Sequence, residues 1–391
     1  MSQQGAGLRV VVAPDSYKES LSAAGVAEAI AQGILQAAPQ AEVVCIPMAD
    51  GGEGSLDAVL AATGGQRRTA TVRDANGRPC EAAWGWLGDA TAFIEMAEAA
   101  GLERIPLQQR KPLQAGTHGV GELVLRALDA GARRIVLGLG GSATTDGGAG
   151  LFQALGGHLF DQQGGELPPG GGPLHRLARI DTSRLDPRLA DVQFEIAVDV
   201  DNPLCGERGA AAIFGPQKGA SAADVDFLDH GLAHFAGLCV RASGRDETGT
   251  PGTGAAGGLG FVIKSFFRAE FRPGVELIAE LAKLDRALEG AQLVFTGEGR
   301  MDRQTLLGKT PAGVARHARR HGAAVIALAG SLGEGYEALY QAGITAAFSV
   351  VPGPMTLAQA IDDAGRLLRE RARDCMLLWM AGSAGTTSAD L

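Results

Sequence analysis

Four glycine-rich segments edged by acids, hydroxyls or a base hold most of the chemistry this sequence could do. They are Asp50-Gly51-Gly52-Glu53-Gly54, Gly138-Leu139-Gly140-Gly141-Ser142-Ala143-Thr144-Thr145-Asp146-Gly147-Gly148, Gly252-Thr253-Gly254-Ala255-Ala256-Gly257-Gly258 and Thr296-Gly297-Glu298-Gly299-Arg300. A backbone without Cβ can approach a ligand closely and turn its N–H groups toward it. Such groups form concave anion sites where a loop enters a helix, and carboxylates beside them suit a hard cation. Together they point to phosphoryl transfer.

Each segment also has a plainer reading. Asp15-Ser16-Tyr17-Lys18 follows the first strand-like run, where ligands gather in open α/β sheets; Lys18 could neutralise a phosphate or carboxylate, or be a solvated lysine beside a turn aspartate. Asp50 could hold Mg²⁺ or orient a substrate hydroxyl, although acids also favour a helix N-terminus. Gly51, Gly52 and Gly54, three glycines within four positions, exceed what a turn needs. Gly138-x-Gly140-x-x-Ala143 fits the permissive dinucleotide fingerprint, with Asp161 beyond it. Gly140, Gly141, Ser142, Thr144, Thr145 and Asp146, however, suit a phosphate or a polyol. Gly252 to Gly257 spells G-x-G-x-x-G but follows a polar stretch, so the Rossmann context fails, and Gly257 and Gly258 stay as ligand contacts. Gly308-Lys309-Thr310 ends like a P-loop, yet Arg303 stands where its first glycine is required. Arg300, Asp302 and Lys309 nonetheless read as one site at a helix start, and Gly297 and Glu298 lie just before it. Asp199, Asp201 and Asn202 offer oxygens to Mg²⁺, or cap a turn before Pro203. No zinc spacing and no G-x-S-x-G elbow occurs; His317 and His321 sit four apart on a basic, exposed helix.

These residues need strand ends to hold them. Leu8 to Ala13 and Glu42 to Ile46 read as buried parallel strands, each followed by a loop and then a helix, Ala23 to Ala37 and Ser55 to Ala62. The rhythm returns at Leu293 to Phe295, followed by a loop from Gly297 to Gly308, a helix opened by Pro311, strands at Ala324 to Ala329 and Thr345 to Val351, and one long helix from Leu357 to Arg373. Arg67 to Ile94 reads as a hairpin around Asn76-Gly77; Gln153 to Leu177 reads as loop-rich. The pattern predicts an α/β protein of two domains. A discontinuous flavodoxin- or Rossmann-like parallel-sheet domain takes residues 1–63 and 289–381, a mixed α/β domain at 64–288 is inserted, and 382–391 form a flexible tail.

The composition agrees with such a protein. The chain of 391 residues exceeds one typical core, and its 58 glycines are about twice the usual share without a collagen-like period. A net charge of −9 argues against a nucleic-acid surface. Five scattered cysteines form no CxxC, the start lacks a leader pattern and no apolar run is long enough for a membrane span, so a reducing cytoplasm fits best. A homodimer is compatible with the sequence, which does not fix the oligomeric state.

Taken together, Val11 to Lys18, Pro47 to Gly54, Gly138 to Gly148, Asp199-Val200-Asp201-Asn202-Pro203-Leu204-Cys205-Gly206, Thr296 to Asp302 and Gly308-Lys309 strongly resemble the bacterial type I glycerate kinases, over about residues 8 to 380. Tyr17 stands where many members carry phenylalanine. The resemblance implies ATP-dependent phosphorylation of D-glycerate, with 2-phosphoglycerate favoured over 3-phosphoglycerate, in glycerate, glyoxylate or sugar-acid breakdown. It implies two α/β domains with the site in a cleft.

A kinase must orient the acceptor hydroxyl, bridge phosphates with Mg²⁺ and neutralise charge on the transferred group. On that basis Mg²⁺–ATP lies against the glycine loops, and Asp199 or Asp50 accepts the hydroxyl proton. Lys18 and Lys309 balance phosphate and carboxylate, Arg300 clamps the carboxylate, and Asp201 and Asp302 are the metal-ligand candidates. Two rivals remain: a nicotinamide-dependent oxidoreductase of a small hydroxy acid, and a non-catalytic sugar-acid sensor.

Overall fold

The computed structural model describes residues 7–306 and 308–386. Residues 1–6, read above as lacking a leader, and residues 387–391 of the expected tail lie outside the described residues, as does Leu307. Among the described residues the thirteen strands are β1 (Arg9–Val12), β2 (Glu42–Cys45), β3 (Gln66–Arg73), β4 (Pro79–Gly88), β5 (Thr91–Glu95), β6 (Arg134–Gly138), β7 (His158–Asp161), β8 (Leu177–Asp181), β9 (Gln193–Ala197), β10 (Arg268–Arg272), β11 (Leu293–Met301), β12 (Ala324–Leu332) and β13 (Ala346–Ser349). The chain divides into two compact units. One holds the described residues up to Asp50, Asp57–Gly64 and everything from Pro273; the other holds Gly51–Leu56 and Gly65–Arg272.

The first unit is built on a parallel sheet in the order β13-β12-β11-β1-β2. Val10, Val11 and Val12 are β-branched and fully buried, which suits a central strand covered on both faces. Ser22 caps the helix Ala23–Ala37 by accepting from the Gly25 N–H. That helix turns Val26, Ile30 and Ile34 into a core shared with Leu293, Phe295, Leu367 and Met376.

The second unit carries a six-stranded sheet, β10-β9-β6-β5-β4-β3. Its first four strands run parallel, while β4 and β3 complete it antiparallel. The turn joining β3 to β4 forms at Asp74–Arg78 as the Asn76-Gly77 pair anticipates, with Arg78 N donating to Asp74 Oδ1 at 2.8 Å. Phe93, Phe152, Phe194, Phe235 and Phe261 are fully buried in this unit's core, each contributing roughly 1.5–3 kcal/mol of burial.

The α/β class and the parallel sheet built from both chain ends are what the strand–helix rhythm predicts, but four local expectations fail. The segment after Phe295 is no loop: β11 continues to Met301 in register with β12 as far as Leu332. Gly297 permits this, because a Cβ there would lie 1.9 Å from the Leu328 carbonyl oxygen. The long C-terminal helix is two helices, Leu357–Asp362 and Ala364–Thr386, the first opened by a Thr356/Gln359 capping box; the second extends into the segment expected as a tail. The loop-rich stretch from Gln153 to Leu177 contains β7, which pairs antiparallel with β8. His317 is not exposed but 5% accessible, because its helix face turns toward Glu276 and Asp285, at 2.8 and 2.9 Å from the two ring nitrogens. Among the described residues no helix is long and apolar enough to cross a membrane.

Candidate active site

In the first unit the acids gather at the carboxyl end of the parallel sheet. Asp15 lies three residues beyond β1, and its N–H donates to the Gly297 carbonyl on β11 at 2.9 Å. Its carboxylate accepts from Ser16 N at 2.6 Å and from the Thr310 hydroxyl at 2.6 Å. Thr310 opens the helix Thr310–Arg320, so a helix N-terminus with its unpaired N–H groups faces this acid. Desolvation first, and then the charges of Asp50 and Glu298, push the Asp15 carboxyl up to about 7; the two hydrogen bonds only partly oppose them.

Glu298, on β11, is the buried member of the cluster at 8% accessible. Its Oε1 accepts from Thr305 Oγ1 at 2.6 Å, and its Oε2 lies 3.2 Å from Lys309 Nζ. Burial raises its carboxyl above the usual range, and Thr305 and Lys309 pull it back. Tyr17 is buried, with its hydroxyl donating to the Leu328 carbonyl at 2.9 Å; it is a scaffold rather than a ligand group. Lys18 is exposed in the adjoining turn.

The structure pairs Arg300, the expected carboxylate clamp, with a neighbouring acid. As a strand residue with its side chain 70% exposed it pairs with Asp302 at 3.2 Å. Asp302 in turn caps the following 3-10 turn by accepting from Gln304 N at 2.9 Å. Both its oxygens are therefore engaged, which argues against the metal role. Asp201 is likewise engaged: both oxygens lie 2.8 Å from Arg208 NH2 on an exposed surface. Asp199 is exposed two residues past β9. Among the described residues, no group of three or more metal-ligating side chains stands ready for an ion.

In the second unit the long glycine segment runs from the end of β6 into the helix Ala149–Ala154. Its anchor is Asp146, fully buried, which accepts from Thr117 N and Oγ1 at 2.8 Å each and from Gly148 N and Gly150 N at 3.1 Å each. Burial still raises its carboxyl. Several glycines expected to cradle a ligand instead let this loop pack on others. The Gly140 N–H donates to the Gly51 carbonyl, and a Cβ at Gly140 would stand 2.4 Å from Gly52 Cα. Gly257 takes φ +68°, and a Cβ there would meet the Thr144 carbonyl oxygen at 1.9 Å. Gly258, also at positive φ, follows it into the helix Leu259–Phe266. What the loop leaves outermost is the exposed Gly141 and the edge of Ser142. Asp161, the ribose-binding acid of the dinucleotide reading, accepts from Gln163 N and Gly165 N in its own hairpin turn.

Two ionisable groups were not singled out in the sequence. Lys218 is 1% accessible, and its Nζ donates to Ser142 Oγ at 2.9 Å and to the Thr144 carbonyl at 2.6 Å. Desolvation lowers its ammonium to about 7. Glu95, at the end of β5 and 4% accessible, accepts from Gly54 N and Leu56 N at the start of the helix Ser55–Thr63, and burial raises its carboxyl to about 7. The signals were modest: a lysine framed by Gly215-Pro216 and Gly219, and an acid closing the apolar run Ala92-Phe93-Ile94.

Sequence comparison supplies the context for these clusters. The family model described as the glycerate kinase family matches residues 10–380. The chain belongs to that family. The Bacillus subtilis (strain 168) protein named glycerate kinase is 48% identical over 368 residues, covering 94% of this chain and 96% of that one. The Escherichia coli K12 protein named glycerate 2-kinase is 48% identical over 354 residues, covering 90% and 93%. A crystal structure from Salmonella typhimurium LT2, assigned to glycerate kinase 2, superposes with a TM-score of 0.88 at 45% identity, covering 97% of this chain and all of that one. Family membership makes this chain a kinase and sets aside the oxidoreductase and sensor readings.

Proposed function

We propose that this chain transfers the terminal phosphoryl group of ATP to a hydroxyl of D-glycerate, with 2-phosphoglycerate as the favoured product. The observation that carries the reading is the cluster in which Asp15 meets Thr310 and Glu298 meets Lys309 at the carboxyl end of the parallel sheet. The family supplies the reaction class. The Escherichia coli relative named for position 2 supports the regiochemistry.

Within this reading Asp15 accepts the hydroxyl proton. Its carboxyl, pushed up to about 7, can take a proton and release it near neutral pH. Its place in the hydrogen-bonded cluster favours it over the exposed Asp199, one of the two acceptors expected from sequence, while Asp50, the other, is kept for the metal. Lys309 and the N–H groups opening the helix Thr310–Arg320 balance phosphate charge, and the exposed Lys18 adds a further positive charge. Of the glycine loops, Gly141 and the edge of Ser142 offer a second surface for anionic oxygens. Mg²⁺ would take most of its oxygens from phosphates and water, since no three described side chains form a ready metal group. Asp50 would hold it, and when bound it would neutralise charge developing on the phosphates.

The test is ADP release by the purified chain with D-glycerate present and absent, followed by phosphorus NMR of the product. Glycerate-dependent ADP with a phosphorus signal coupled to the C2 proton supports the reading. ADP release that ignores glycerate refutes the substrate, and a C3 phosphate refutes the regiochemistry.

A further inference from the structure

The buried Lys218 stands apart from the acid cluster and has no carboxylate partner within hydrogen-bond distance among the described residues. An ammonium has three protons and no acceptor site. Lys218 directs one to Ser142 Oγ at 2.9 Å and one to the Thr144 carbonyl at 2.6 Å. Ser142 Oγ, already receiving a proton, must point its own O–H elsewhere, and no described protein atom accepts it. Of the loop's polar side chains only Ser142 keeps any accessible surface: it is 9% accessible, while Thr144, Thr145 and Asp146 are fully buried. The Thr144 and Thr145 hydroxyls are, moreover, buried without a hydrogen-bond partner. A loop that seals a cation behind it, leaves buried hydroxyls unsatisfied and turns one O–H outward is built to meet an acceptor.

We propose that Lys218 is a positioning residue which, through Ser142, presents a hydrogen-bond donor backed by positive charge to an anionic oxygen of a ligand held on the Gly138–Gly148 loop. The oxygen is a phosphate or a carboxylate, the two anions that the proposed reaction brings together, and the inference rests on that reading.

The arrangement is a switch as well as a prop. With Lys218 protonated, Ser142 donates outward. With Lys218 neutral, Nζ becomes an acceptor and the Ser142 O–H turns inward to it, so the ligand loses its donor. The charged groups facing this assembly are Asp146 beneath the loop, which favours the ammonium, the Glu53 carboxylate packed over Gly141, and Arg110, whose guanidinium donates to the Gln217 carbonyl one residue from the lysine. Burial holds Lys218 near neutrality, so the change falls within the range of ordinary assays.

Initial rates of the full chain with ATP and D-glycerate, from pH 6 to 9, test this for wild type, Ser142→Ala and Lys218→Met, with thermal melting alongside. Ser142→Ala keeps the lysine and the fold and is expected to raise KM for one substrate about tenfold, with a smaller change in kcat, as for a lost charge-assisted hydrogen bond. A rise in KM for ATP identifies a phosphate; a rise for glycerate identifies the carboxylate. In wild type that same KM should climb as pH passes about 7, and the climb should vanish in both variants. KM values for Ser142→Ala within about twofold of wild type at every pH overturn the inference. If Lys218→Met does not fold, Ser142→Ala decides alone. A wild type without glycerate-dependent turnover refutes the parent reading instead; calorimetric affinities of wild type and Ser142→Ala for ADP and for D-glycerate then decide this one, about tenfold weaker binding of either supporting it and equal binding of both refuting it.

Discussion

Thr310 donates its hydroxyl to Asp15 Oδ2 at 2.6 Å, joining the first turn of a helix to a loop 295 positions earlier in the chain. The bond lowers the Asp15 carboxyl against the stronger upward push of burial and of Asp50. Asp15→Asn removes the proton acceptor and is expected to lower kcat by about 10²–10⁴-fold. Thr310→Val keeps the shape but drops the donor, and should cost about tenfold. Steady-state kinetics at saturating ATP and glycerate check both. A kcat for Asp15→Asn near wild type would remove Asp15 from the chemistry and return the role to Asp50 or Asp199.

Lys309 and Glu298 form the second joint, 3.2 Å apart with Glu298 the more buried. Lys309→Met leaves Glu298 with the Thr305 hydroxyl alone and takes a positive charge from the helix start. KM for ATP should rise more than kcat falls. Glu298→Gln in the same background should recover part of the lost stability, with a coupling of about 0.5–1.5 kcal/mol for a pair that is partly solvated. Urea unfolding of the two single variants and the double variant gives the coupling. Strictly additive losses would mean the pair is only a neighbourhood.

The strands and their order along the chain were legible because β-branched runs and helix caps are local signals. The run Val10 to Val12 needed no distant information. The glycine segments were legible as special but not as to why. At Gly257 and Gly140 the reason is another loop's backbone, a contact over a hundred residues away in the first case that no local pattern announces. The continuation of β11 through Gly297 to Met301 was missed for the same reason: the partner strand β12 overrides the poor strand propensity of glycine. Lys218 gave only the modest signal of its flanking glycines, because a lysine there reads as solvated and only tertiary packing buries it. Asp15, Glu298 and Lys309 were named from sequence. Their grouping depended on Thr305, which carries no sequence signal, and on Thr310, legible only as the end of a failed P-loop.

Asp146 offers a test of the loop's architecture independent of catalysis. Four donors converge on its two oxygens, three of them on Oδ2. Asp146→Asn replaces one oxygen with an NH₂ group that cannot accept, so at least one buried N–H, from Gly148 or from the Thr117–Gly150 set, loses its partner. The expected cost is about 1–3 kcal/mol of unfolding free energy, read as a lowered urea midpoint with unchanged slope. A variant as stable as wild type would show that the loop is held by its glycine packing and not by this carboxylate.

Glu95 makes stability depend on pH in a direction that follows from its burial. Its folded carboxyl titrates at about 7, raised chiefly by desolvation, whereas in the unfolded chain it titrates near the ordinary Glu value of about 4.3. The folded state thus holds the proton longer. The stabilisation from this difference is complete below the unfolded value and is lost as pH rises through about 7. Lys218, lowered to about 7, acts in the opposite sense by favouring the folded state as pH rises, so the whole protein's profile blends the two. Glu95→Gln isolates the first: it does not titrate, and Lys218 is common to both proteins. Relative to wild type the variant should gain on the order of 3 kcal/mol between pH 4 and 8, whatever fixed cost it carries from pairing the Gly54 and Leu56 N–H groups with an amide. Urea midpoints of the two proteins at several pH values measure the slope of that difference. A flat difference would mean that Glu95 stays ionised in the fold, its charge held by the helix start against the pull of burial.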